Sequence, residues 1–115
     1  MVVKASLRNY RISASKARLV VDLIRGKGVE RALNILQASD KRFSVPLAKL
    51  LRSAVANAEV HNDTRSAGID IDNLVVSQIA VDEGTSMWRI RPRAQGRAAW
   101  IQKQTSHVSL ELAEK

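Results

Sequence analysis

The chain has 115 residues, 45% of them hydrophobic, and a net charge of +8 from 19 Lys/Arg against 11 Asp/Glu. That length suits one domain burying roughly two-thirds of its surface, and with no cysteine in the sequence disulfides and thiolate metal sites are excluded. No apolar run approaches the ~20 residues of a membrane span, and MVVKASLRNYR lacks the apolar stretch of a signal peptide, so the expectations are a cytoplasmic location and no membrane partner, while the charge points to a polyanion partner or an anionic surface.

VVKASLR (2–8) alternates, with Val3, Ala5 and Leu7 on one side and Lys4, Ser6 and Arg8 on the other, as a half-buried strand does. Ser13 or Ser15 can cap a helix in which Ala17, Val20, Val21 and Ile24 form the apolar stripe. Gly26 ends that helix in a left-handed cap, with Arg25 and Lys27 at its negative end. Val29, Ala32, Leu33 and Leu36 predict a second helix. Leu47, Leu50, Leu51, Ala54 and Ala58 predict a third, with Pro46 in its first turn. This helix is expected to fade in VHNDTRSAG (60–68).

The period then changes from 3.6 to 2. Ile69, Ile71, Val75, Ile79 and Val81 share one parity and predict a long strand with one buried face, interrupted by DEG (82–84). Val108, Leu110 and Leu112 alternate again near the C-terminus. Between these core strands, residues 85–107 hold few large apolar side chains, read as forming no continuous face. Two strands that leave a core and return to it extend as a β-hairpin, at about residues 82–107 of a single domain spanning 1–115, with Pro92 and Gly96 suited to the tip.

The buried parity predicts Val81 opposite Val108. An unbroken register would set Arg89 opposite Trp100. A single bulge at Gly84, using glycine's access to the left-handed region, would set Trp88 directly across from Trp100, and this pairing is the expectation; its rival is that each indole stacks separately on an RNA base.

Charge is segregated. Residues 1–58 carry twelve Lys/Arg against three acids, residues 59–83 one against six, and residues 84–115 six against two, with no acid from Gly84 to Leu110. RIRPRAQGR (89–97) alone holds four arginines. Such an arm repels itself until phosphates neutralise it and counterions are released. Arg8 and Arg11 flank Tyr10, and Lys16, Arg18, Arg25 and Lys27 follow, which gathers phosphate-binding groups near the strand–helix corner.

Catalysis is poorly supported, and no catalytic residue, metal or cofactor is expected. His61 reads as an exposed turn histidine beside Asn62 and Asp63. His107 suits RNA contact or simple exposure. Asp70 and Asp72 read as a solvated strand face rather than a metal site. No zinc spacing is present, and LIRGKGVERAL lacks a base-reading face for a helix-turn-helix. Large structured RNA, recognised by shape, phosphate and 2′-OH, fits scattered cations plus a narrow arm better than DNA. The competing classes are another basic RNA-binding module, such as an RNA chaperone or translation factor, and a small nuclease working at Asp70 or Asp72.

RLVVDLIRGK (18–27), LLRSAVANAE (50–59), VDEG (81–84), RPRAQGRA (91–98) and KQTSHVSL (103–110) together resemble the bacterial form of large-subunit ribosomal protein number twenty-two, in order along nearly the whole chain. The resemblance implies an α+β fold of three helices packed on a three-stranded antiparallel sheet with a long protruding β-hairpin. It implies binding to large-subunit ribosomal RNA beside neighbouring large-subunit ribosomal proteins. It also implies that the hairpin lines the polypeptide exit tunnel, where the tip (Arg91, Pro92, Arg93, Ala94, Gln95, Gly96, Arg97) would meet the nascent polypeptide; no homo-oligomer is expected. The RNA-binding positions it carries over are Arg89, Arg91, Arg93 and Arg97 on the hairpin, Lys103, Thr105, Ser106 and His107 on the return strand, and Lys16, Arg18, Arg25 and Lys27 on the first helix. Three positions depart from that resemblance: Trp88 and Trp100, and Gln104, which stands where arginine commonly precedes TSH and is kept among the contacts.

Overall fold

Alternating apolar residues at each end of the chain bring its two termini into one sheet. β1 (Val2–Tyr10) pairs antiparallel with β5 (Ser106–Glu114), and β5 pairs antiparallel with β2 (Leu74–Glu83), in the order β1-β5-β2. The computed structural model describes residues 2–65 and 68–114. Three helices, α1 (Ala14–Ile24), α2 (Val29–Ala38) and α3 (Ser44–Arg65), lie between β1 and β2 in sequence. α3 packs on β1, α1 on β2, and α2 against α3. The α+β class, with three helices and a three-stranded antiparallel sheet, is therefore as the sequence predicts. The helical stripes (Ala17, Val21, Ile24; Leu47, Leu51, Ala54, Ala58) close on Val108, Leu110 and Leu112 in one core.

Local details differ where backbone geometry overrides periodicity. Ser13 is the N-cap of α1, but its hydroxyl makes no capping bond; it lies 3.4 Å from Ser15 Oγ instead. Gly26 takes the expected left-handed conformation (φ 76°). α3 does not fade at residue 60 but runs on to Arg65. The polar residues there do not break a helix, and Thr64 Oγ1 donates back to the Val60 carbonyl at 2.7 Å. His61 is consequently helical and half-buried, not in an exposed turn. Residues 66 and 67 of the expected turn lie outside the described residues. Beyond them, the Asn62 amide clasps Ile69, donating to its carbonyl (2.9 Å) and accepting from its N–H (2.8 Å).

The expected odd-parity strand from Ile69 is also revised. Ile71–Asn73 form a 3-10 turn. Asp70 caps it, accepting from Asp72 N–H at 3.2 Å and from Asn73 Nδ2 at 2.6 Å. In β2 the buried residues are Leu74 and Val76, then Ile79 and Val81. A register shift between Val76 and Gln78 switches parity. The first half of β2 is tied to the α1–α2 connection, through Gly26 N–H to Val76 O (3.1 Å) and Val76 N–H to Lys27 O (2.9 Å). The bulge reconciles that tie with the register on β5.

β3 (Met87–Pro92) and β4 (Ala98–Lys103) pair antiparallel as a separate two-stranded ribbon, closed by a 3-10 turn at Ala94–Gly96, where Gln95 (φ 63°) and Gly96 (φ 70°) are left-handed. Val81 pairs with Val108 as expected, and Glu83 with Ser106. The next pair is Met87 with Lys103, so residues 84–86 going out oppose only 104 and 105 coming back. The register breaks just beyond Gly84 and not at it: the Gly84 N–H still donates to Thr105 O at 2.8 Å in the body's phase, so the surplus falls at 85–86 against 104. Gly84 is not among the positive-φ glycines. Glycine is needed because a Cβ there would stand 2.5 Å from Thr105 Oγ1. The extra residue is on the outgoing side, whereas a direct Trp88–Trp100 pair needs it on the return. Trp88 therefore faces Gln102, Trp100 faces Ile90, and the expected indole pair is not formed.

Candidate nucleic-acid interface

Cations from three separated segments converge on one cleft of about 770 Å³. The β1–α1 corner supplies Tyr10, Arg11 and Lys16; the α2–α3 connection supplies Lys41, Arg42 and Phe43; the end of β4 and the residue after it supply Lys103 and Gln104. Five cationic side chains and no carboxylate line it. The ion pairs among the described residues lie elsewhere, Lys4 with Glu111 (3.6 Å) and Arg25 with Asp22 (3.3 Å). A concentration of unpaired cations in a concave surface focuses positive potential on whatever enters.

Each wall is positioned by local geometry. β1 shifts register between Leu7 and Tyr10. Asn9, left-handed at φ 57°, a conformation asparagine tolerates, sends its N–H to His107 Nδ1 at 3.0 Å rather than into the ladder. This sets Tyr10 opposite Ser106, at the mouth of the cleft. Tyr10 packs on Phe43 with ring centroids 5.5 Å apart and planes tilted by 55°, a favourable aromatic geometry. Phe43 is buried and so pins the preceding Lys41 and Arg42, both exposed, at the cleft edge. Sequence reasoning missed Lys41 and Arg42. The available signal was a basic pair directly before the only phenylalanine in the chain.

The cleft gathers Tyr10, Arg11, Lys16, Lys103 and Gln104 from the predicted contacts. It does not gather Arg8, which is exposed on β1, or Lys27, which is half-buried after α1. Arg18 reaches across to β2 and donates to the Val81 carbonyl at 2.9 Å, and Arg25 holds Asp22. Three predicted contacts on the return strand have partners inside the chain. Ser106 is fully buried, with its hydroxyl donating to Ile12 O at 2.7 Å. Thr105 is buried and donates to Thr85 O at 2.6 Å. His107 is half-buried, its Nδ1 occupied by Asn9. Ser106 thus has no surface to offer a ligand, and all three brace the joint that carries Lys103 and Gln104.

The ribbon is two-faced. Pairing puts Met87, Arg89 and Arg91 on one side with Lys103, Ile101 and Ala99, and Arg89 Nη1 donates to the Trp88 carbonyl at 3.1 Å. Trp88, Ile90 and Trp100 share the other side. Three of the large apolar residues of 85–107 therefore do form a face, which the register creates and composition alone concealed. Arg93 and Arg97 flank the exposed tip, where Arg93 N–H donates to Arg97 O at 2.6 Å.

Among the described residues no group of three or more His, Cys, Asp or Glu is arranged to hold a metal, and no helix is long and apolar enough to cross a membrane. Compared with known protein families, residues 5–113 match the model of the family described as Ribosomal protein L22p/L17e.

Proposed function

Because this chain belongs to the ribosomal protein L22p/L17e family, a family of structural ribosomal proteins rather than enzymes, and is thereby a protein of the large ribosomal subunit, we propose that it is a non-catalytic binder of large-subunit ribosomal RNA. Residues 1–115 act as one RNA-binding unit. The acid-free cleft holds the phosphates of folded RNA, and the segment at about 82–107 extends along it. That segment lines the polypeptide exit tunnel, with Arg91–Arg97 toward the nascent polypeptide, and the body sits beside neighbouring large-subunit proteins. The setting is the cytoplasmic ribosome, with one copy of the chain per subunit.

The observation that carries this reading is the convergence of Arg11, Lys16, Lys41, Arg42 and Lys103 on one concave surface without a carboxylate. Guanidinium forks and lysine point charges are the groups that neutralise phosphate, and release of condensed counterions supplies the free energy. Large-subunit RNA and this protein, mixed at increasing salt, test it. Binding should weaken linearly in log K against log salt, with a slope of about −0.7 to −0.9 per neutralised phosphate. Sedimentation separates the reading from a transient RNA chaperone: a ribosomal component stays with the large subunit, in stoichiometric amount, through a high-salt wash. Loss of the chain from that fraction would overturn the proposal.

A further inference from the structure

Resting on the RNA-binding reading above, we infer that the Trp88–Ile90–Trp100 face of the ribbon is a stacking platform for unpaired nucleobases, separate from the phosphate-binding groups of the cleft and of the opposite face. The three side chains are 56%, 60% and 68% exposed, so neither indole is buried by the rest of the chain. Ile90 lies directly opposite Trp100 and two residues along from Trp88. The two indoles are thus diagonal neighbours, and Tyr10–Phe43 is the aromatic pair found among the described residues. Diagonal positions on an antiparallel pair lie roughly 7–8 Å apart, about twice the ~3.4 Å rise of a nucleic-acid strand. That spacing leaves room for a flat ring between the indoles, with their outer faces free for others.

Charge selects the occupant. The stripe runs toward Arg93 and Arg97, which flank the tip turn, on a ribbon whose other face carries Arg89 and Arg91, in a stretch with no acid from Gly84 to Leu110. A fitting partner must present apolar flat surface and negative charge within a few ångströms of each other. An unpaired nucleotide does both, with its base on the indole and its phosphate on the arginine. A second copy of this chain, at +8, would set arginines against arginines. An ordinary apolar protein surface would leave the flanking guanidiniums without counter-charge. Stacking on aromatic side chains is tolerant of base identity, so the platform grips single-stranded or extruded bases without reading their sequence.

The chain has two tryptophans, and both are on this face, so intrinsic fluorescence reports it directly. The full-length protein is titrated with a short fluorescein-labelled oligoadenylate, binding being read by anisotropy, and in parallel with unlabelled oligoadenylate and with polyphosphate, tryptophan emission being recorded. Oligoadenylate should quench the emission. Polyphosphate should displace the labelled RNA while leaving the emission nearly unchanged. Trp88→Leu and Trp100→Leu, which keep apolar bulk and lose the π surface, should each weaken oligoadenylate binding roughly 5- to 150-fold with an unchanged salt slope, and Trp→Phe should recover part of the loss. Tight RNA binding without quenching, equal quenching by polyphosphate, or Leu variants that bind like the parent would each overturn the stacking platform while leaving RNA binding intact. Dimerisation of the free protein that is lost in both Leu variants would assign the face to a second copy and overturn it as well. No binding of RNA at all would overturn the functional reading beneath it.

Discussion

Gly84 lies so close to Thr105 that a Cβ at position 84 would stand 2.5 Å from Thr105 Oγ1 and 3.1 Å from His107 Nε2. Neither neighbour can easily withdraw. Thr105 Oγ1 is held on the Thr85 carbonyl at 2.6 Å, and His107 Nδ1 receives the Asn9 N–H at 3.0 Å. Gly84→Ala should therefore force a backbone shift at the joint between body and ribbon, costing about 1–3 kcal/mol as overpacking does. Thermal or denaturant unfolding checks it, and a neutral variant would show that the joint is loose.

Ser106 separates a structural role from a binding role. Its hydroxyl is buried and donates to Ile12 O at 2.7 Å. Ser106→Ala should lower stability by about 1–3 kcal/mol, because a buried acceptor loses its donor. The folded variant should bind RNA with the parent's affinity. A selective loss of affinity at unchanged stability would restore the contact expected from sequence.

Lys41 and Arg42 give the clearest test of the cleft. Replacing either by glutamine should reduce the steepness of log K against log salt by about one unit, as should the same change at Arg91, Arg93 or Arg97. Fold stability should change little, since Lys41 and Arg42 are exposed and make no ion pair among the described residues. An unchanged slope for the cleft pair would mean that phosphate does not enter there.

The ribbon should be the least protected part of the free protein. β3 and β4 pair chiefly with each other, and an isolated two-stranded ribbon is marginal in water. Amides of residues 86–102 should exchange fast in the free protein and slow down when RNA binds. Strong protection without RNA would contradict this.

What was legible in the sequence was what repeats. The stripes Ala17–Val20–Val21–Ile24 and Leu47–Leu51–Ala54–Ala58 and the alternation Val108–Leu110–Leu112 declare helix, helix and strand because each buried face recurs at a fixed interval. The shift after Val76 and the kink at Asn9 were not legible. Each is settled by a bond to a residue far along the chain, Lys27 in one case and His107 in the other. The cleft was half legible: Arg11, Lys16 and Lys103 stand out as cations in acid-poor stretches, whereas Lys41 and Arg42 join them only through the burial of Phe43. Thr105 and Ser106 misled for a simple reason. A hydroxyl looks the same in a sequence whether it meets a ligand or a neighbouring carbonyl.

The joint at 84–86 and 104–105 also works as a phase setter. In the body, pairing across β2 and β5 matches odd positions with even ones, such as Val81 with Val108; beyond the joint like parity meets like, as Arg89 with Ile101 and Ile90 with Trp100. Had the body's phase persisted, Arg89 would sit beside Trp100 and each side of the ribbon would be a mixture. One surplus residue sorts the same side chains into a cationic side and an aromatic side. With the same residues paired in the other phase, every arginine and both indoles would remain yet that sorting would be scrambled, so one composition in two registers would present different chemistry to the same RNA.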